Sequence, residues 1–156
     1  MRGSSIWLAL GLFSSIALAA EPGVTDKAIV IGQSISLDQG KNSYGVAAAQ
    51  GVKLYIDKVN AEGGVHGRKI VLKVLEDQSK AANAAANARQ LLADGAFILF
   101  GSIEGGPSTA IAEVATEQKV PFFGPMAGSP TLRRPYQPFV FPVRAEHREE
   151  FRALMN

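Results

Sequence analysis

Val59-Asn60-Ala61-Glu62-Gly63-Gly64-Val65-His66-Gly67-Arg68-Lys69-Ile70 is the stretch where the chain changes its hydrophobic period. Before it, from Tyr44 to Glu62, apolar residues recur at helical spacing, with Val52, Tyr55, Ile56 and Val59 on one face. After it, Ile70 to Leu75 alternates as a strand. Gly63-Gly64 ends the helix, because glycine accepts the left-handed geometry of a C-terminal cap. Gly67 marks a turn. The run from Gly63 to Lys69 has a superficial likeness to a phosphate loop. It follows a helix and precedes a strand, however, and phosphate is held where a strand leads into a helix N-terminus. The stretch therefore reads as a turn.

The same alternation extends in both directions. Ala28-Ile29-Val30-Ile31, closed by Gly32, reads as a short strand buried on both faces, followed by a polar stretch from Gln33 to Ser43. Downstream, Ala81, Ala84, Ala85, Ala88, Leu91 and Leu92 mark a second helix that ends at Gly95. Ala96 to Phe100 is a third strand. Gly105-Gly106-Pro107 leads into a third helix with Ile111, Val114 and Ala115 inward. Pro121 to Gly124 is a fourth strand, Phe139 to Phe141 a fifth, and Glu146 to Met155 another helix. Strands and helices that alternate over short connections predict an α/β fold: a doubly wound parallel sheet with helices on both faces. Such sheets bind ligands at the carboxyl ends of their strands, near the switch point. Function is therefore expected in the segments that follow the strands.

Residues 1–20 carry Arg2, an apolar run from Ile6 to Leu18, and the small-x-small ending Ala17-Leu18-Ala19. That is the order of a secretory signal peptide, cut after Ala19 or Ala20. As a helix the run would span about 20 Å, short of the ~30 Å hydrocarbon core. The mature chain is expected to be periplasmic, without membrane insertion. Of 156 residues, 47% are hydrophobic and 19% charged, a globular and not a disordered composition. Sixteen Lys and Arg face fourteen Asp and Glu. The excess sits in a tail holding Arg133, Arg134, Arg144, Arg148 and Arg152, so no basic face for nucleic acid is expected. The chain has no cysteine, which excludes disulfides, thiolate metal sites, a cysteine nucleophile and a lipidated cysteine in this sequence.

The histidines, His66 and His147, are far apart in sequence and read as surface residues. No G-x-S-x-G elbow, catalytic triad or nucleotide fingerprint is present. No enzyme, cofactor or metal site is therefore expected. The leading candidate for binding is Gly101-Ser102-Ile103-Glu104-Gly105-Gly106-Pro107-Ser108-Thr109. It joins a strand to a helix start, whose free N–H groups hold carboxylates. Gly105 and Gly106 open the backbone to a ligand, and Ser108 and Thr109 add candidate hydroxyl donors. The same run also fits a tight turn capped by its own serine. A second candidate is Pro125-Met126-Ala127-Gly128-Ser129-Pro130-Thr131, whose small residues expose backbone groups. Tyr44 either covers an apolar ligand surface or packs on its own helix. Glu104 either pairs with a ligand ammonium or faces solvent.

Taken together, these residues resemble a known family. The chain from about Ala28 onward looks like the N-terminal lobe of type I periplasmic solute-binding proteins of ABC transporters, in the leucine/isoleucine/valine-binding branch. The likeness is carried by the Val59–Ile70 stretch, by Ile31-Gly32 with Tyr44-Gly45, by Glu76-Asp77, by Asp94-Gly95, by Phe100-Gly101, and by Pro121 to Pro130. It implies two α/β lobes that close on a small ligand, usually an amino acid, for delivery to a membrane permease. Carried over, the ligand's α-carboxylate and α-ammonium would meet Ile103, Glu104, Gly105 and Gly106 on one loop. Met126, Ala127, Gly128 and Ser129 would meet them on the other, with Tyr44 flanking the ligand side chain. Gly105-Gly106 stand where branched-chain binders offer serines, and Gly128-Ser129 where they offer a threonine. Residues 21–156 then read as one lobe whose second lobe is absent from this sequence, so weak binding by this product alone, or none, is expected. A ligand-sensing domain of a receptor or regulator is the alternative reading of the same lobe.

Overall fold

The computed structural model describes residues 21–38, 40 and 42–156, so the signal-peptide reading of residues 1–20 lies outside the described residues. In chain order the elements are β1 (Ala28–Ile35), α1 (Ser43–Ala61), β2 (Lys69–Glu76), α2 (Ala81–Ala93), β3 (Ile98–Ser102), α3 (Gly105–Gln118), β4 (Phe122–Pro125), a 3-10 turn (Pro130–Leu132), β5 (Val140–Phe141) and α4 (His147–Met155). The sheet order is β2-β1-β3-β4-β5, parallel throughout. The chain steps from β1 out to β2 and then back across β1 to β3. The switch point therefore lies between β1 and β3, which is where such sheets bind ligands.

The Val59–Ile70 stretch turns as expected. Gly64 has φ +78, and a Cβ there would lie 2.0 Å from Arg68 O, so only glycine fits. Val65 and Arg68 exchange backbone hydrogen bonds across His66-Gly67, both at positive φ, as in a type I′ turn. Asn60 closes the unit. Its Nδ2 donates to Ile70 O and its Oδ1 accepts from Ile70 N–H, both at 2.8 Å. These satisfy two backbone groups on the free edge of β2, so the end of α1 is tied to the start of the next strand.

Alternation along the strands assigns the two faces of the sheet. Leu99, Phe122 and Val140 join Ala84, Ala88 and Leu91 of α2 and Ile111, Val114 and Ala115 of α3 in the main core. The expected inner face of α3 is thus the observed one. On the opposite face α1 lies over β1 and β2. There Val46, Ala49 and Ile56 line a groove with Ile70, Leu72 and Val74. Phe100 and Phe123 stack on that side with ring centroids 6.5 Å apart. Phe123 and Phe141 remain about half exposed.

Three expectations need correction. β1 does not stop at Gly32 but runs to Ile35, in register with β2 as far as Glu76. Gln33 and Ser34 are buried in it, and Ser34 is satisfied by Asp77, so polarity there does not signal a loop. β3 begins at Ile98 and reaches Ser102, so Gly101-Ser102 belong to the strand and not to the loop. Tyr55 is 67% exposed and does not share the buried face of Ile56.

Candidate functional site

α1 begins where β1 ends. Asn42 is its N-cap, and the side-chain oxygen accepts the Gly45 N–H at 3.0 Å. The same side chain turns its Nδ2 to Glu104 Oε1 at 2.8 Å. Ser79 Oγ, on the connection after β2, donates to that same Oε1 at 3.0 Å. Glu104 itself is the N-cap of α3. Three strand ends thus fix one carboxylate at the switch point. Beside it opens a cavity of about 560 Å³ lined by Asn42, Tyr44, Ala48, Ile103, Glu104, Met126 and Arg144. Tyr44 is 81% exposed on its rim, so it does not pack down on its own helix. Arg144 is already engaged: its Nε and Nη2 donate to Glu150 at 2.7 and 2.8 Å.

The remaining candidates divide around the start of α3. Gly105, Gly106 and Ser129 line a neighbouring depression with Thr109, Glu113 and His147. Nothing lies within 4 Å of the position a Cβ on Gly106 would take, and only Ser129 Cβ, at 3.8 Å, approaches that of Gly105. The backbone there is open. Ala127 is buried in the main core, so its side chain faces away from both cavities. Gly128 is covered by His147, whose N–H donates to Gly128 O at 3.0 Å. The histidine ring sits where a Cβ on Gly128 would be. Ser108 is fully buried and Thr109 turns its hydroxyl back to Gly105 O at 2.8 Å, so neither offers a donor to a ligand. Among the described residues, no group of three or more acidic or histidine side chains converges to hold a metal.

Sequence reasoning missed Asn42, Ser79 and Arg144. For Asn42 a signal existed, since asparagine ahead of a helical run is an N-cap. Ser79 and Arg144 are brought in only by tertiary structure.

Near Glu104 lies a buried carboxylate. Asp77 is 1% exposed. It accepts from Ser79 N–H at 2.9 Å and from Ser34 Oγ at 3.2 Å. Burial raises its pKa above the ordinary value, against these two hydrogen bonds, and the charges of Glu104 and Glu76 raise it further. The folded chain therefore holds this proton more tightly than the unfolded chain. Its contribution to stability is full below the ordinary carboxylate pKa of about 3.9 and is lost as pH rises through the raised value. Asp77→Asn, which keeps an acceptor for Ser79 N–H, is expected to flatten that fall. Thermal unfolding midpoints measured across the acid range check it. An unchanged slope in the variant would remove Asp77 as the cause.

A sequence profile of the periplasmic binding protein family matches residues 13–156. A Leu/Ile/Val-binding protein homologue of Brucella melitensis is 29% identical over 126 residues, covering 79% of this chain and 34% of that protein. A substrate-binding periplasmic protein from Ralstonia solanacearum superposes with TM-score 0.71 at 26% identity, over 81% of this chain and 37% of the other. A possible leucine/isoleucine/valine-binding protein from Rhodopirellula baltica shares the fold, with TM-score 0.76 at 22% identity over 88% of this chain and 36% of the other. The chain thus spans about a third of the length of these relatives. The parallel order, the switch point and the profile agree: the chain belongs to the periplasmic binding protein family, with the fold of a type I lobe.

Proposed function

We propose that this chain is the ligand-binding lobe of an extracytoplasmic solute-binding protein. It captures an amino acid, of branched-chain type or a related small carboxylate, and delivers it to the membrane permease of an ABC transporter. The observation that carries this reading is the cavity at the switch point. A fixed carboxylate and the apolar walls of Tyr44, Ile103 and Met126 meet there, and the open helix start lines the neighbouring depression. Apolar walls with a few placed polar groups are what small-ligand sites require. Backbone N–H groups at Gly105 and Gly106 suit a carboxylate without a basic side chain. The Leu/Ile/Val-binding names of the relatives support the ligand class.

In this reading residues 1–20 direct export to the periplasm and are removed, and residues 21–156 form one lobe. A second lobe closes over the exposed face of Tyr44. The protein turns over nothing, since it needs only to bind and release. Ligand-observed NMR against the twenty L-amino acids tests this, because it detects weak binding by a single lobe. Transfer signals from one or a few amino acids are expected, lost on Met126→Asp, which puts a charge in the apolar wall. Silence from the whole panel would overturn the reading.

A further inference from the structure

A parallel sheet is ordinarily covered by helices on both faces, because its crossovers place them there. Here α2 and α3 cover one face of β3 and β4, and on the other α1 lies against β2. Past α1, the register sets Phe100 opposite Phe123 and Phe123 opposite Phe141. Three phenylalanines thus cross β3, β4 and β5 in one row of about 10 Å, and the rings of Phe100 and Phe123 are stacked. Phe123 and Phe141 are half exposed, and Val143 just beyond them is more so. The row is a sheet face without a helix.

α4 is the converse, a helix without a sheet. None of its residues is buried. Phe151, Leu154 and Met155 fall at i, i+3 and i+4, on one stripe, and they are 67%, 80% and 87% exposed. The start of the helix is held beside the loop after β4. His147 N–H donates to Gly128 O, Glu146 pairs with Arg134, and Glu150 pairs with Arg144. Tied there, the stripe leaves both itself and the row of its own chain open.

We propose that two copies of this chain pair by exchange: the α4 stripe of each seats on the phenylalanine row of the other. The area favours a second copy as the occupant. A large side chain presents about 150–250 Å² when fully exposed, so stripe and row with Val143 leave roughly 800 Å² open on each copy. A stable interface takes that much from each partner, and a monomer ordinarily leaves less in apolar patches. Stripe on stripe, or row on row, would bury roughly half as much. Exchange uses both, and a two-fold axis closes it, since each copy gives and receives the same contact. The stripe spans about 6 Å along its helix, within the width of the row. The inference concerns pairing alone and is independent of the ligand.

The test expresses the full sequence and weighs the purified chain by sedimentation equilibrium. Twice the mass given by its own mass spectrum is expected, falling to the single mass on dilution. Phe151→Asp spoils the stripe and Phe141→Asp spoils the row. Each alone is expected to weaken pairing about thirtyfold or more. Mixed one to one, the two variants are expected to regain part of the pairing, because the intact stripe of one meets the intact row of the other. Circular dichroism and unfolding midpoints, taken dilute enough for single copies, show that both variants fold. Val143→Asp, outside the strands, replaces Phe141→Asp if that variant does not. A single mass at every concentration would overturn the inference. Mass that grows without limit would also overturn it, because the contact would then be open-ended. Pairing lost in Phe151→Asp but kept in the row variant would mean helix on helix and would overturn the exchange. A mixture that pairs no better than either variant alone would do the same.

Discussion

Phe122→Ala is expected to lower the unfolding free energy by about 3–5 kcal/mol, the range for deleting a buried phenylalanine from a packed core. Phe122 is 0% exposed at the centre of the cluster joining β3, β4, α2 and α3. Truncation removes the ring's burial and leaves a cavity that the surrounding helices fill only partly. Domains of this size are stable by about 5–15 kcal/mol, so the loss is a large share of the total. Its neighbour supplies the control. Phe123 points to the other face and is 49% exposed, so Phe123→Ala is expected to cost about 1 kcal/mol or less. Urea unfolding of both variants reads the difference. Equal losses would mean that β4 presents the opposite face to the core.

The second large effect concerns the approach of α1 to β1. A Cβ on Gly45 would lie 1.9 Å from Ser36 O and 3.1 Å from Ser36 C. These are backbone atoms, with no rotamer through which to yield. Gly45→Ala is therefore expected to cost about 1–3 kcal/mol or more, as overpacking does, against a gain of about 1 kcal/mol in helix propensity. Relief requires the start of α1 to lift. That start carries Asn42 and Tyr44, so the support of Glu104 and the rim of the cavity move with it. Gly51→Ala is the matched control. It lies in the same helix with nothing within 4 Å of the new Cβ, and it is expected to stabilise by about 0.5–1 kcal/mol. Denaturation midpoints that shift in opposite directions meet the expectation. A Gly45 variant as stable as the Gly51 variant would mean that the contact with Ser36 does not constrain the helix.

The alternation of strand and helix was legible because the first two helices are ended by glycine and the strands carry their own apolar period. Gly63-Gly64 and Gly95 stand just past α1 and α2, as a local rule demands. The extent of β1 was not legible. Gln33 and Ser34 look like loop residues, and they become strand because Ser34 finds Asp77, 43 positions away. No periodicity rule carries that distance.

Candidate site residues show the same division. Glu104, Gly105 and Gly106 could be placed at a helix start from composition, and Tyr44 at another. Their arrangement around two separate depressions depends on where β1, β3 and β4 end in space. Tyr55 marks the opposite failure: an apolar residue on the expected helical stripe that stays in water.

The sheet order leaves β2 and β5 at the two margins. β5 is only two residues long, too short to recruit another chain. β2 is eight residues, Lys69 to Glu76, and its middle is interrupted by a single charge, Lys73. With an aliphatic residue at that position, six consecutive apolar side chains would run from Ile70 to Leu75 along an open margin, the composition that drives cross-β stacking. Lys73 donates to Asp94 O at 2.7 Å, which anchors the charge at the rim of the sheet. A single lysine thus interrupts the apolar run on the edge where a further strand would pair.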